Sequence, residues 1–232
     1  MENESLFLAV EDAYDRWASS YDSDDNPMVF AVTHGMEEVA ATVRDKVVVE
    51  FGCGTGRNLV RLKRAGARHL IGCDLSQGML DRARIQAQKW GPDSALTLFQ
   101  QDMAQPLPLA ARTADLVLFS LTLEHVSDLS GPLREARRLL RPGGECVIFE
   151  IHPFLSLNAV SAHFQDGGTV VRMPTYPHRF SDYVNAFVDS RLVPVRCREW
   201  TPQDFDGEVP EKIFKRGATT PLLVQFVLQK AP

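Results

Sequence analysis

The chain has 232 residues, 44% of them hydrophobic and 24% charged, so it can bury a full core and has the make-up of an ordinary globular protein. Its 25 Lys and Arg against 30 Asp and Glu leave a net charge of −5, which argues against nucleic acid and anionic lipid as partners. Cys53, Cys73, Cys146 and Cys197 show neither C-x-x-C pairing nor a His spacing suited to zinc; this speaks for small buried thiols in a reducing compartment and against a metal site. Glu2 and Glu4 stand where a leader would be basic, and no apolar run is long enough for a membrane span, so a cytoplasmic protein off the membrane is expected.

Residues 5–45 read as amphipathic helix, with Tyr14, Trp17 and Tyr21 at helical spacing, a break at 22–27, and a resumed pattern over 28–43. Residues 46–51 form a buried strand. A helix over 57–65 follows, with Leu59 and Leu62 on its inner face and Gly66 as its C-cap. Residues 69–74 are a second strand ending in Asp74. Ser76 is placed to cap a helix over 79–89. Residues 96–99 make a short third strand, with Asp102 and Met103 in the loop behind it. The apolar run 114–121 suits a strand covered on both faces. A helix over 129–140 stops before Arg141-Pro142-Gly143-Gly144, and 145–151 is a fifth strand. After His152 the rhythm changes: 153–181 reads as an insertion of short strands or a flap. A helix over 182–190 and strands over 192–200 and 222–229 close the chain.

Regular alternation of strand and helix predicts an α/β fold with a Rossmann-like, doubly wound sheet of about seven strands. Ligands of such sheets bind outside the carboxyl ends of the strands, which brings Glu50, Asp74, Asp102 and Ser120 to one rim. The turn at that rim is the most specific feature. Residues 47–58 read Val-Val-Val-Glu-Phe-Gly-Cys-Gly-Thr-Gly-Arg-Asn. Glycines between a strand and a helix let a ligand approach bare backbone at a helix N-terminus. The dinucleotide pattern is G-x-G-x-x-G. Here the third glycine, Gly56, comes one residue early and Arg57 takes the dinucleotide glycine's place. Glu50 ahead of the turn would repel a pyrophosphate.

Those residues suit a nucleoside with a charged amino-acid tail. Glu50 can meet an ammonium, while Gly52, Gly54 and Gly56 let the tail come close. Asp74 can accept both ribose hydroxyls. Asp102 can accept from an exocyclic adenine amine, with Leu75, Met79 and Met103 against the ring. Together these describe S-adenosylmethionine.

With these residues the chain resembles the class I S-adenosylmethionine-dependent methyltransferases, in the broad group of the ubiquinone and menaquinone biosynthesis enzymes. The resemblance runs in order through residues 48–56, 71–80, 101–107 and 139–147, and through Tyr14-Asp15-Arg16-Trp17-Ala18 to Tyr21-Asp22. It implies that the sheet is parallel except for an antiparallel last strand, that S-adenosylhomocysteine is the product, that Ser120 faces the cofactor near the sulfonium, and that a lid brings Tyr14 or Tyr21 over the tail. It further implies a single domain over 1–232: a helical lid at 1–45, a cofactor-binding core at 46–152, a substrate cap at 153–182, and a C-terminal helix and strands at 183–232. Relatives of this kind act in cofactor, quinone or secondary metabolism. The expected reaction is transfer of methyl to O, N or C of a small-molecule acceptor, and a homodimer is kept open as the assembly.

In-line attack on an activated methyl needs positioning and exclusion of water. It needs a base only where the acceptor is a hydroxyl or an acidic carbon. His125, His152 and His178 are the candidate bases, while His163 lies in the insertion. Tyr176 and Tyr183 are candidates to line the acceptor pocket. Two rival readings stand beside this one. An NAD-dependent oxidoreductase is disfavoured by Arg57 and Glu50. A protein that binds the cofactor without transferring methyl, or a cyclase assisted by the sulfonium, keeps the same pocket.

Overall fold

The computed structural model describes residues 5–24, 26–91 and 95–231. Glu2 and Glu4 lie outside the described residues, as does Asp25 of the 22–27 break. Among the described residues, no helix is long and apolar enough to cross a membrane.

The central sheet has seven strands: β2 (Val47–Phe51), β3 (His69–Asp74), β4 (Leu96–Gln100), β5 (Ala114–Ser120), β6 (Leu140–Ile151), β9 (Leu192–Trp200) and β10 (Leu223–Lys230), in the order β4-β3-β2-β5-β6-β10-β9. β2 to β6 pair in parallel, and β10 runs antiparallel to both neighbours, β6 and β9. This is the doubly wound sheet with an antiparallel last strand. The strand order reverses between β2 and β5, so their carboxyl ends open the crevice where ligands of such sheets bind. β2 is buried along its whole length, which is why it reads as a β-branched run.

One face of the sheet is covered by α2 (Pro27–Ala40), α3 (Arg57–Arg64) and α4 (Gln77–Gln88), the other by α5 (Ser130–Leu139) and α7 (Phe180–Ser190). α3 and α4 share an apolar layer around Leu59, Leu62 and Leu80. On the far face, Phe51 stacks on Phe119 at 4.9 Å, and Tyr183 and Phe187 of α7 pack on Phe226. Cys53, Cys73 and Cys146 are buried and Cys197 is exposed; all four are free thiols.

Two expectations are corrected, and the insertion, which does hold short strands, gains a helical turn. Residues 5–7 are not helical: Ser5–Phe7 is a strand, β1, and helix begins only at α1 (Val10–Trp17). β1 pairs in parallel with β8 (Thr169–Arg172), which forms a hairpin with β7 (His163–Asp166) across Gly167-Gly168. Three residues carry too little periodicity to tell strand from helix, and the pairing partner lies far away in sequence. The helix before Arg141 ends at Leu139, because Leu140 already pairs with Ala114 and starts β6. After β6, Pro153–Ser156 forms a short helix, α6.

The N-terminal segment and the insertion therefore build one layer. Trp17 of α1 stacks on Phe164 of β7 with ring centroids 4.7 Å apart, above Val171, Met173 and Met79. Arg16 and Asp166 form an ion pair at its edge. This layer covers the carboxyl ends of β2 and β3.

Candidate functional site

The chain leaves β2 at Phe51 and must enter α3 at Arg57. Gly52 has φ +64°, and a Cβ there would stand 2.1 Å from Oγ1 of Thr122, so only glycine lets Thr122 close on the turn. Gly54 has φ +53° and open space where its Cβ would be. The Gly54 amide donates to Oδ2 of Asp74 at 2.7 Å, and the Ser76 amide donates to Oδ1 at 2.9 Å. The turn and the acid ending β3 are thus one hydrogen-bonded unit. Burial pushes the Asp74 carboxyl up to about 6, against the pull of the Ser76 and Gly54 amides.

Glu50 points the other way, into a smaller cavity of about 430 Å³ that it shares with Asn58, Arg57, Thr55 and the glycine turn. Its Oε1 accepts from Asn58 Nδ2 at 2.7 Å. Its Oε2 is buried and has no partner among the described residues. Burial raises this carboxyl to about 8, with Asn58 opposing and the Asp74 charge adding to the rise.

A second cleft, about 870 Å³ counted out to its open mouth, lies beside the turn. It gathers Tyr14, Tyr21, Gly52, Gly54, Asp74, Leu75, Met79, Asp102, Met103 and Ser120 from five separated stretches of sequence. Gly56 lies outside both cavities, where it starts α3 against Ala83 of α4. Leu121, at the end of β5, adopts φ +53°. A non-glycine residue in that region stores strain. The kink turns the amides of Thr122 and Leu123 onto Oε1 of Glu150, at 2.9 and 2.7 Å.

Of the three candidate bases, only His125 lines the cleft. Its Nδ1 lies 3.0 Å from the Pro174 carbonyl, which can only accept, so Nδ1 carries the proton. Its Nε2 lies 2.9 Å from the Tyr14 hydroxyl. Burial lowers the His125 pKa, against the Pro174 contact. Burial above all, then Tyr21 and Glu124, raises Tyr14 well above the usual phenol range. Tyr14 therefore donates to a neutral imidazole.

His152 is buried elsewhere: Nδ1 accepts from the Phe154 amide at 3.1 Å and caps α6, and Nε2 meets Glu199 at 2.9 Å. His178 gives its Nε2 to the carbonyls of Leu123 and Val126. Tyr183 is core, packed on Phe226. Tyr176 is half-exposed and lines an open groove with His178 on the far side of the insertion. Neither tyrosine reaches the cleft.

Sequence reasoning missed the residues that hold the roof. Asp15 Oδ1 accepts from Ser76 Oγ at 2.6 Å and from the Gly78 amide at 2.8 Å, so it sits on the N-terminus of α4. Asp22 Oδ1 accepts from Thr55 Oγ1 at 2.8 Å and from Arg57 Nη2 at 3.0 Å, beside the start of α3. Asp15 exploits a helix N-terminus, where backbone amides and the dipole favour a carboxylate, whereas Asp22 is held by side chains alone. Asn58 escaped notice as well, although its place one residue into the helix after a glycine turn is a usable signal.

Sheet topology, an acid-led glycine turn and an acid ending the next strand define a nucleoside-binding crevice with room for an amino-acid tail. Residues 49–148 match the family model described as a methyltransferase domain. The chain is similar to an uncharacterized methyltransferase of Emericella nidulans, 28% identical over 215 residues that cover 78% of this chain and 74% of that one. It is also similar to the demethylmenaquinone methyltransferase of Thermobifida fusca, 33% identical over 146 residues; the match covers 61% of this chain and 58% of the relative's length. In fold it is similar to an S-adenosylmethionine-dependent methyltransferase from Mesorhizobium loti, with a TM-score of 0.68 at 23% identity, covering 84% of this chain and 95% of that one. Residues 49–148 thus carry a methyltransferase domain, on the fold of enzymes whose methyl donor is S-adenosylmethionine. The residues present fit that group. The unpartnered Oε2 of Glu50 awaits a donor such as an ammonium, and the open flank of Gly54 leaves space beside the turn.

Proposed function

We propose that the chain transfers the methyl of S-adenosylmethionine to a small-molecule acceptor through an oxygen or carbon that gives up a proton. The observation that carries this is the Tyr14 hydroxyl on Nε2 of His125 in the same cleft as Asp74 and the glycine turn. In this reading Glu50, Gly52 and Gly54 hold the amino-acid tail and Asp74 the ribose. Leu75, Met79, Asp102 and Met103 border the adenine. Ser120 faces the sulfonium side, and Tyr14 and Tyr21 form the roof.

The bound donor supplies a methyl already activated by its sulfonium. The chain's own task is to orient the acceptor, exclude water and take a proton. Neutral His125 does the last. As the acceptor releases its proton to the Tyr14 oxygen, Tyr14 passes its own to Nε2, and the pair ends as phenol and imidazolium. Such a base serves hydroxyl and acidic-carbon acceptors. The likeness to an enzyme named for demethylmenaquinone supports an acceptor of metabolite size.

Calorimetry with S-adenosylmethionine and with NAD tests the donor. Metabolite profiles of cells with and without the gene, searched for a mass gain of one methylene, nominate the acceptor. Release of S-adenosylhomocysteine with that acceptor is the expected result. Binding of NAD alone would overturn the proposal, and donor binding without methyl transfer across a broad acceptor panel would favour a binding protein or a cyclase. His125→Ala should lower turnover roughly 10²- to 10⁴-fold with donor affinity retained, the usual contribution of a positioned base.

A further inference from the structure

The segment that aims His125 is short and is held from outside. Leu123–His125 is a single 3-10 turn between Thr122 and Val126. So brief a turn has poor internal hydrogen bonding, so its shape depends on what pins its ends. Glu150 pins the entry through the amides of Thr122 and Leu123. A second hold is His178, a buried residue of the insertion, and the nearby Tyr176 amide adds a contact by donating to the Glu124 carbonyl at 2.7 Å. The His178 Nε2 lies 3.2 Å from the Leu123 carbonyl and 2.9 Å from the Val126 carbonyl. Both partners only accept, so Nε2 carries a proton and shares it across the turn. The insertion that supplies His178 also supplies the Pro174 carbonyl that fixes the Nδ1 proton of His125.

We infer that His178 is a positioning residue, which clamps the 123–126 turn so that Nε2 of His125 stays bare and aimed at Tyr14. This rests on the reading of Tyr14 and His125 as the proton-accepting pair. A base role for His178 itself does not suit the geometry, because its proton-bearing nitrogen is turned to backbone and away from the cleft.

Nitrogen-15 NMR of the histidine rings tests the inference without any acceptor. In the native protein His125 should show one tautomer, with Nδ1 protonated. His178→Ala should replace that signature with averaged ring shifts while affinity for S-adenosylmethionine is unchanged. His178→Gln places an amide donor where Nε2 stood and should restore the native pattern. Should the alanine variant not fold, His178→Asn, whose amide is too short to span both carbonyls, takes its place.

With an acceptor in hand, kcat should fall up to about 100-fold in His178→Ala with little change in KM, as expected of a misplaced group. It should recover in His178→Gln; a true base would be lost in both. An unchanged His125 tautomer in His178→Ala, or a glutamine variant no better than alanine, would overturn the inference. The ring-nitrogen readout needs no turnover, so failure to find methyl transfer sinks the proposed function and leaves His178 to be decided separately.

Discussion

Asp74 shows how much one residue's sequence context conceals. Its place at the end of a strand after a glycine turn marks it as a ribose acceptor. The carboxylate is in fact aimed by the amides of Gly54 and Ser76, one on each oxygen. Removing it orphans those two amides and, on the proposed reading, takes away the ribose partner. Asp74→Ala should weaken S-adenosylmethionine binding by about 1.5–3 kcal/mol, the range for hydrogen bonds to a charged group, and calorimetry would read the loss directly. Unchanged affinity would break the ribose assignment. The three histidines teach the opposite lesson. His125 and His152 stand just past strand ends and His178 lies in the insertion, but which of them faces the cleft depends on partners that sequence does not show. His152 is spent on Glu199 and the Phe154 amide, and His178 on two carbonyls.

Among the elements, the lid carries the largest surprise. Its aromatic spacing at Tyr14, Trp17 and Tyr21 was legible, and the two tyrosines do reach the cleft. The pairing of β1 with β8 was not legible, since parallel strands so far apart leave no local signal. The clamps of Asp15 on α4 and Asp22 on Thr55 and Arg57 join the lid to both helices that begin at the crevice. Asp15→Ala and Asp22→Ala should each open the roof and leave the sheet intact. Stopped-flow dissociation of the donor should quicken by roughly tenfold, the equivalent of a single hydrogen bond to a charged group. Amide exchange should rise in α1 alone, and a uniform rise across the sheet would show instead that the clamps support the whole fold.

For the whole molecule, the unusual feature is acid buried under the crevice. Burial is the leading cause in each case: Glu50 and Glu150 are raised to about 8, Glu124 to about 7 and Asp74 to about 6. Ordinary carboxylates titrate near about 4. Each group therefore binds its proton more tightly in the folded chain than in the unfolded one. The stability this contributes is complete below about pH 4 and is lost as pH rises through 6 to 8. Thermal unfolding of the ligand-free protein should show Tm falling over that window. Glu50→Gln should flatten the slope and raise Tm at the alkaline end while weakening donor binding. A Tm that climbs with pH would contradict the buried-acid account.

The sheet, the glycine turn and the rim positions of Glu50 and Asp74 are written in the chain itself, and they are the features that suit S-adenosylmethionine. These depend on local rules: β-branched runs for buried strands, glycine where backbone must be bare, and an acid at a strand end that doubly wound topology carries to the rim. Only the tertiary structure decided that His125 and not His152 or His178 faces the cleft, that Tyr14 is its partner, and that the insertion and the N-terminus form one roof. Each of those rests on contacts between residues distant along the chain, where burial and hydrogen bonding from several elements converge on one atom and no stretch of sequence records the meeting.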